Sequence, residues 1–199
     1  MKPGEPKAIE DLFNDIAPKY DLLNDLLSLG LHRVWKRQLL FELSPMSGEN
    51  WLDLCCGTGD LALALTRRIR PKGSVLGIDS AIEPLLIARE RSSKELLPSL
   101  SWAKGDALNT GLTSNHFDGV VMAYGLRNLS DYRAGLKEIH RVLKPGGRSG
   151  VLDFNSISER SIGYQFQRFY LRNIVVPIAD KFGLKEHYIY LEESLKQFP

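Results

Sequence analysis

The sequence is poor in cysteine, in long apolar runs and in unbalanced charge, and each shortage removes a class of protein. Only two cysteines occur, Cys55 and Cys56, and they are adjacent. Neighbouring residues on a strand point to opposite faces, so this pair suits neither a mutual disulfide nor a shared metal site. No Cys/His group has zinc-ligand spacing, so no metal is expected, and a reducing compartment fits best. No apolar run approaches the roughly 18 residues needed to cross a bilayer. Met1 to Pro6 is short and polar, without the apolar core of a secretory signal or the Arg/Ser-rich character of a transit segment. A presequence already removed would leave no trace here. Twenty-six Lys and Arg against twenty-four Asp and Glu leave a formal charge of +2. That is far from the dense basic stripe of a nucleic-acid binder, so no nucleic-acid partner is expected. The two basic clusters, Arg33/Lys36/Arg37 and Arg67/Arg68/Arg70, read as solvated helix faces or ends.

What is present is an ordinary globular composition, with 43% hydrophobic residues over 199 positions, enough for one compact domain. Three regions follow. Residues 1–45 read as a helical N-terminal cap. Ile9, Leu12, Phe13 and Ile16 recur at helix spacing, Pro18 interrupts, and a second apolar series ends at Gly30. A third helix covers Leu31 to Leu43. Residues 50–154 alternate strand and helix. Strands are expected at Asn50–Cys56, Ser74–Asp79, Leu100–Asp106, Phe117–Tyr124 and Arg148–Phe154. Helices are expected at Leu61–Ile69, Ile82–Leu97 and Tyr132–Leu143. This alternation predicts an α/β domain, doubly wound around a largely parallel sheet. Residues 155–199 read as a helical, aromatic-rich segment on the substrate side.

The first strand ends in Cys56-Gly57-Thr58-Gly59-Asp60, a glycine turn that opens a helix. Glycines there let the backbone approach a ligand and take positive φ. In open parallel sheets, ligands bind at the carboxyl ends of the strands, near the point where strand order reverses. The second strand ends in Asp79, twenty positions after Gly59. A carboxylate there can accept from both hydroxyls of a ribose. Asp79 could instead cap the helix at Ile82, a task open to Ser80 as well. The third strand runs out at Asp106-Ala107, where a polar group can meet an adenine amine or simply form a turn. Asp53, Gly57, Gly59, Asp79 and Asp106 thus recur at three successive strand tips, the layout an adenosine needs. Gly57, Gly59 and Ala62 also fit the relaxed dinucleotide fingerprint, which keeps a nicotinamide-dependent oxidoreductase open. Asp53 and Asp60 crowd negative charge around the turn, which suits a cationic sulfonium better than a pyrophosphate.

Longer patterns resemble a known family over nearly the whole chain. They are Tyr20-Asp21-Leu22-Leu23-Asn24 through Ser28, His32 and Trp35; Asp53 through Leu61; Tyr124-Gly125-Leu126-Arg127-Asn128; and Arg141 through Gly147. These resemble the ubiquinone/menaquinone biosynthesis C-methyltransferases. The cysteine pair and general wording are most similar to the branch of photosynthetic organisms that makes phylloquinone. The resemblance implies a Rossmann-like class I fold, S-adenosylmethionine as methyl donor and a prenylated quinol as acceptor, demethylphylloquinol above demethylmenaquinol or a ubiquinone-pathway quinol. It implies cofactor contacts at Thr58, Asp79, Asp106 and Ala107, and at Ala123 and Tyr124 before the Gly-Leu-Arg-Asn stretch. The family often has serine where Ala123 stands, and glutamate where Asp153 stands. Its members continue past Leu195 into further strands, so a sheet lacking its final strands is expected.

The implied reaction joins a ring carbon to the sulfonium methyl. A quinone carbon is electrophilic, so the acceptor has to be the reduced quinol, activated by loss of a hydroxyl proton. Arg127 and Asn128 are the expected donors to the developing oxyanion, and Tyr20 the expected polar contact from the N-terminal helices. Structural alternatives stand beside each: an ion pair to Asp131 for Arg127, helix packing for Tyr20 and Trp35, and a hydrogen-bonding role for His32. The expected setting is cytoplasmic, or plastid stroma after loss of a presequence, with peripheral membrane contact to collect the tailed acceptor. Oligomeric state is open. Alternatives of other kinds are the oxidoreductase above, a non-catalytic binding subunit, and a small-molecule O- or N-methyltransferase.

Overall fold

A computed structural model describes residues 6–95, 97–154, 173, 175–181, 190 and 194. The cap is α1 (Pro6–Ile16), a single 3-10 turn at Ala17–Lys19, α2 (Tyr20–Ser28) and α3 (Leu31–Leu43). Pro18 falls in the 3-10 turn, where its missing N–H and fixed φ break the helix. The core runs β1 (Asn50–Leu54), α4 (Asp60–Ile69), β2 (Ser74–Asp79), α5 (Ile82–Lys94), β3 (Leu100–Lys104), β4 (Phe117–Ala123), α6 (Tyr132–Val142) and β5 (Leu143–Leu152). A short α7 (Val176–Lys181) follows. The aromatic series expected through Tyr164, Phe166, Phe169 and Tyr170 lies outside the described residues.

The five described strands form one parallel sheet in the order β3-β2-β1-β4-β5. β1 is central, so its residues are buried on both faces and it reads as a nearly continuous apolar run. Alternation along it builds two cores. Leu52 and Leu54 point into one, with Val120, Met122, Ile139 and Val142 beneath α6. Trp51 points into the other, with Leu40, Leu43, Leu65 and Ile69 beneath α3 and α4. Each such apolar side chain contributes about 1.5–3 kcal/mol on burial. Helices therefore cover both faces, as the doubly wound reading requires.

Several boundaries differ from the sequence reading. The Leu143-Lys144-Pro145-Gly146-Gly147 stretch is part of β5 and bulges from it: Phe117 pairs with Leu143, and the next registered pair is Gly119 with Arg148. A strand that accommodates a bulge keeps its ladder on both sides of the extra residues. The strands after Leu54, Lys104, Ala123 and Leu152 stop earlier than hydrophobicity suggests. Cys55 and Tyr124 explain two of these stops, because both adopt positive φ, at 58° and 62°, and turn the chain out of the sheet.

Candidate active site

The sheet reverses order between β1 and β4, and the carboxyl ends of β1, β2, β3 and β4 border a cavity of about 650 Å³ there. Its floor includes Leu54, Gly57, Ile78, Asp79, Asp106 and Ala107. Ala123, Tyr124 and Asn128 form a second wall. α1 also lines it, through Ile9, Glu10 and Phe13. A concave, mainly apolar space of this size with a few placed polar groups suits a small ligand.

Asp79 anchors the β1 turn. Its Oδ2 accepts from Gly57 N at 2.8 Å and its Oδ1 from Ala81 N at 2.9 Å. Burial raises its pKa, and the backbone N–H groups oppose that rise. An ionised carboxylate offers about four lone-pair positions, and the N–H groups of Gly57, Ala81 and Ser80 take three, so the carboxylate retains some acceptor capacity. The residue that caps α5 is Ala81, without a side-chain bond, so neither Asp79 nor Ser80 is the cap. Asp106 is exposed at the cavity rim, where its Oδ1 accepts from Leu108 N at 2.9 Å.

The other expected contacts stand behind this wall. Asp53 points to the α4 side of β1, 1% exposed, and accepts from Ala62 N at 2.9 Å. Burial pushes its pKa to about 7. Thr58 turns its hydroxyl to Asp21 at 3.1 Å, tying the turn to α2. Gly59 has φ +85° and caps α4. A Cβ there would overlap the Trp102 ring, so that glycine answers to packing. Asp60 lies between Lys36 at 2.9 Å and Arg91 at 2.7 Å. Burial raises its pKa, and these two cations overcome that and hold it near 2. The negative charge expected around the turn is therefore compensated, and it does not discriminate between a sulfonium and a pyrophosphate. Lys36 also departs from the solvated reading of its cluster, with a side chain only 13% exposed.

Arg127 and Asn128 follow β4 in a 3-10 turn, Leu126–Asn128. The expected ion pair with Asp131 does not form. Asp131 instead caps α6, accepting from Arg133 N and Ala134 N. The partner of Arg127 is Asp153, which takes Nη1 and, through Oδ2, the Arg127 backbone N–H at 3.1 Å. Asn128 donates Nδ2 to Tyr124 O at 3.0 Å and accepts from Tyr190 Oη at 3.1 Å. Tyr124 stacks on Phe154 at 4.8 Å, and Trp35 meets Phe154 edge-on at 6.2 Å. His32 is 2% exposed and bonds Asp25 Oδ1 at 2.8 Å, consistent with a structural hydrogen-bonding role. Tyr20 begins α2, and its side chain lies outside the described residues.

Sequence reasoning missed the participation of α1 in the cavity and the hydrogen bond of Tyr190 to Asn128, which lines it. The amphipathic spacing of Ile9, Leu12 and Phe13 signalled a buried face without naming what it covers. Both cysteines are free, and burial raises both thiols well above their ordinary range. Cys55 is half-buried and Cys56 buried, and thiols held protonated are poor nucleophiles. Among the described residues, no group of three or more His, Cys, Asp or Glu could hold a metal ion, and no helix is long and apolar enough to cross a membrane.

The model of the ubiE/COQ5 methyltransferase family matches residues 1–199. The chain belongs to that family. It is 47% identical over 192 residues to the 2-phytyl-1,4-naphtoquinone methyltransferase of Nostoc punctiforme, covering 96% of this chain and 83% of that one. It is 43% identical over 190 residues to the chloroplastic 2-phytyl-1,4-beta-naphthoquinone methyltransferase of Arabidopsis thaliana, covering 94% and 72%. A solved structure, a putative S-adenosyl-L-methionine-dependent methyltransferase of Methanococcus maripaludis, aligns with TM-score 0.61 at 19% identity, over 92% of this chain and 83% of that one. The fold is thus the Rossmann-like class I methyltransferase fold, and the family makes this chain a methyltransferase. The oxidoreductase suggested by the glycine fingerprint is set aside on that ground.

Proposed function

We propose that this enzyme transfers the methyl group of S-adenosylmethionine to a ring carbon of 2-phytyl-1,4-naphthoquinol, the reduced precursor of phylloquinone. The observation that carries this reading is 47% identity along 96% of the chain with a relative named for that substrate. Two features of the cavity fit the donor. Asp79 at the β2 tip holds acceptor capacity for ribose hydroxyls, and Asp106 at the β3 tip offers a carboxylate to an adenine amine. Ile78 and Ala107 also line the cavity and supply apolar contact for a flat base. Gly57, Ala123 and Tyr124 line the remainder; Asp53, Thr58 and Gly59 support the turn from behind.

When bound, the donor supplies an electrophilic methyl on a cationic sulfonium. The residues of the chain then have to hold the quinol, favour its deprotonated form and keep water out. Asn128 lines the cavity beside β4 with one amide N–H on Tyr124 O, and its second N–H is the proposed donor to a quinolate oxygen. Arg127, just behind it, adds positive charge at short range; its field is felt at Tyr190, where it lowers the hydroxyl pKa against the effect of burial. Tyr20 is the proposed polar contact from α2. Alignment of nucleophile and methyl supplies about 7–11 kcal/mol of acceleration in well-oriented systems. The acceptor carries an apolar tail, and collection of such a substrate calls for peripheral membrane contact in the cytoplasm or the plastid stroma.

The test is methyl transfer from labelled S-adenosylmethionine to demethylated naphthoquinone and benzoquinone acceptors, each oxidised and reduced. Product from the reduced naphthoquinol alone is the expected result. Asp79→Ala should lose S-adenosylhomocysteine affinity roughly ten- to hundredfold, the worth of about 1.5–3 kcal/mol for hydrogen bonds to a charged group. Product from oxidised acceptor, or from benzoquinol in preference, would overturn the substrate assignment.

A further inference from the structure

Tyr190 lies 62 positions beyond Asn128 in sequence, yet the two share a buried hydrogen bond. Its ring, in a residue 5% exposed, packs with Ile9 and Leu12 of α1, and Phe13 joins this cluster. Ile9 and Phe13 also line the cavity. One side chain therefore touches both Asn128 at the cavity and the helix that supplies Ile9 and Phe13 to its lining.

We propose that Tyr190 is a positioning residue: its hydroxyl fixes the amide of Asn128 toward the acceptor, and its ring holds α1 over the cavity. The orientation follows from donor and acceptor chemistry. The Tyr124 carbonyl accepts only, so Asn128 has to turn its NH2 group there. Oδ1 then faces Tyr190 and accepts only, so the hydroxyl of Tyr190 has to donate. Burial supports this state, pushing the hydroxyl pKa up to about 12, so the proton is retained throughout neutral pH. With Oδ1 pinned on one side and one N–H spent on Tyr124, the second Nδ2–H is the group left for the cavity that Asn128 lines. Loss of the hydroxyl leaves a buried amide oxygen unpaired and lets the amide rotate. The consequence falls on the donor that meets the acceptor oxygen, while the Asp79 end of the cavity is untouched. This inference rests on the donor role proposed above for Asn128.

The experiment compares Tyr190→Phe, Tyr190→Ala, Asn128→Ala and Tyr190→Phe/Asn128→Ala in the full chain. Tyr190→Phe removes one buried hydrogen bond, so kcat should fall about five- to fifteenfold, with S-adenosylhomocysteine affinity held within about twofold. The double variant should be no slower than Asn128→Ala alone. Tyr190→Ala should also weaken S-adenosylhomocysteine binding, because α1 loses its support. A second readout needs no acceptor: the side-chain amide resonances of Asn128 should be exchange-protected in wild type and lose that protection in Tyr190→Phe. An unchanged kcat and unchanged amide protection in Tyr190→Phe would overturn the inference. So would kcat losses that multiply in the double variant. Failure of the wild type to methylate any quinol, with the amide effect intact, would instead remove the substrate reading and leave the orientation of Asn128 by Tyr190 standing.

Discussion

Asp153, just past the end of β5, grips Arg127 from two directions. Oδ1 takes the guanidinium Nη1, and Oδ2 takes the Arg127 backbone N–H at 3.1 Å. The pair is nearly dry, with side chains 8% and 5% exposed. The same guanidinium nitrogen donates to Tyr124 O at 3.0 Å, so the pair closes the loop between β4 and the turn that presents Asn128. Its geometry makes Arg127 a strut of the site wall as much as a charge beside it.

Removing one member should therefore unfold more than it inactivates. Asp153→Ala leaves a buried guanidinium without its counter-ion, and such changes cost about 3–5 kcal/mol. Urea denaturation should show this as a lower midpoint at unchanged slope. The double change Arg127→Met/Asp153→Leu should recover at least half of the loss, because an apolar pair of similar volume carries no desolvation cost. If the double variant is no more stable than Asp153→Ala, the pair is not an independent buried unit.

The glycine turn illustrates what could be read from residues in order and what could not. Strand and helix alternation fixed the sheet class, and the tips at Gly57, Asp79, Asp106 and Tyr124 do border one cavity. Periodicity works for such elements because burial selects apolar residues at 3.6 or 2 spacing. Side-chain direction is a different matter. Asp53, Thr58 and Asp60 sit beside the turn in sequence, yet their partners are Ala62, Asp21, Lys36 and Arg91. Asp21, Lys36 and Arg91 come from helices 24 to 37 positions away, and Ala62 from the helix nine positions on. The acidic crowding around the turn dissolves for the same reason. Arg127 found Asp153 rather than Asp131 because Asp131 is occupied as a helix cap. Tyr190 was illegible throughout, since nothing local marks a tyrosine that reaches a residue 62 positions earlier.

Gly59→Ala tests whether that glycine serves the fold or the ligand. Its φ of +85° disfavours any side chain, and a new Cβ would overlap Trp102 and sit 3.1 Å from Ala88 Cβ. Strain and overpacking together should cost about 2–4 kcal/mol. Thermal unfolding of Gly59→Ala/Trp102→Leu should show less damage than the sum of the two single changes, since the shortened side chain vacates the space. Affinity for S-adenosylhomocysteine, measured well below the melting temperature, should change less than threefold. A large affinity loss without a stability loss would instead make Gly59 a point of close approach to the ligand.

Asp53 should give the fold an inverted pH signature. Its carboxyl is 1% exposed on the α4 face of β1, and burial lifts its pKa from 3.8 to about 7 against the Ala62 N–H that favours the charged form. Between these values the folded protein holds a proton that the unfolded chain has released. Stability supplied by that proton is full below about pH 4 and is lost as pH rises toward 7, with a slope of up to about 1.4 kcal/mol per pH unit from this group. Asp60 and Glu138 behave oppositely. Lys36 and Arg91 overcome the burial of Asp60, and Arg141 is the main partner of Glu138; both carboxyls fall to about 2, so they lose stabilisation only as pH drops below their unfolded values. The two windows barely overlap. Asp53→Asn keeps an oxygen for the Ala62 N–H and removes the titration. It should flatten the melting temperature between pH 5 and 7 and raise it at pH 8, by about 2–4 °C for each kcal/mol gained. Parallel curves for wild type and Asp53→Asn over that range would mean that Asp53 is ionised in the fold, held by Lys36 across the α3–β1 contact.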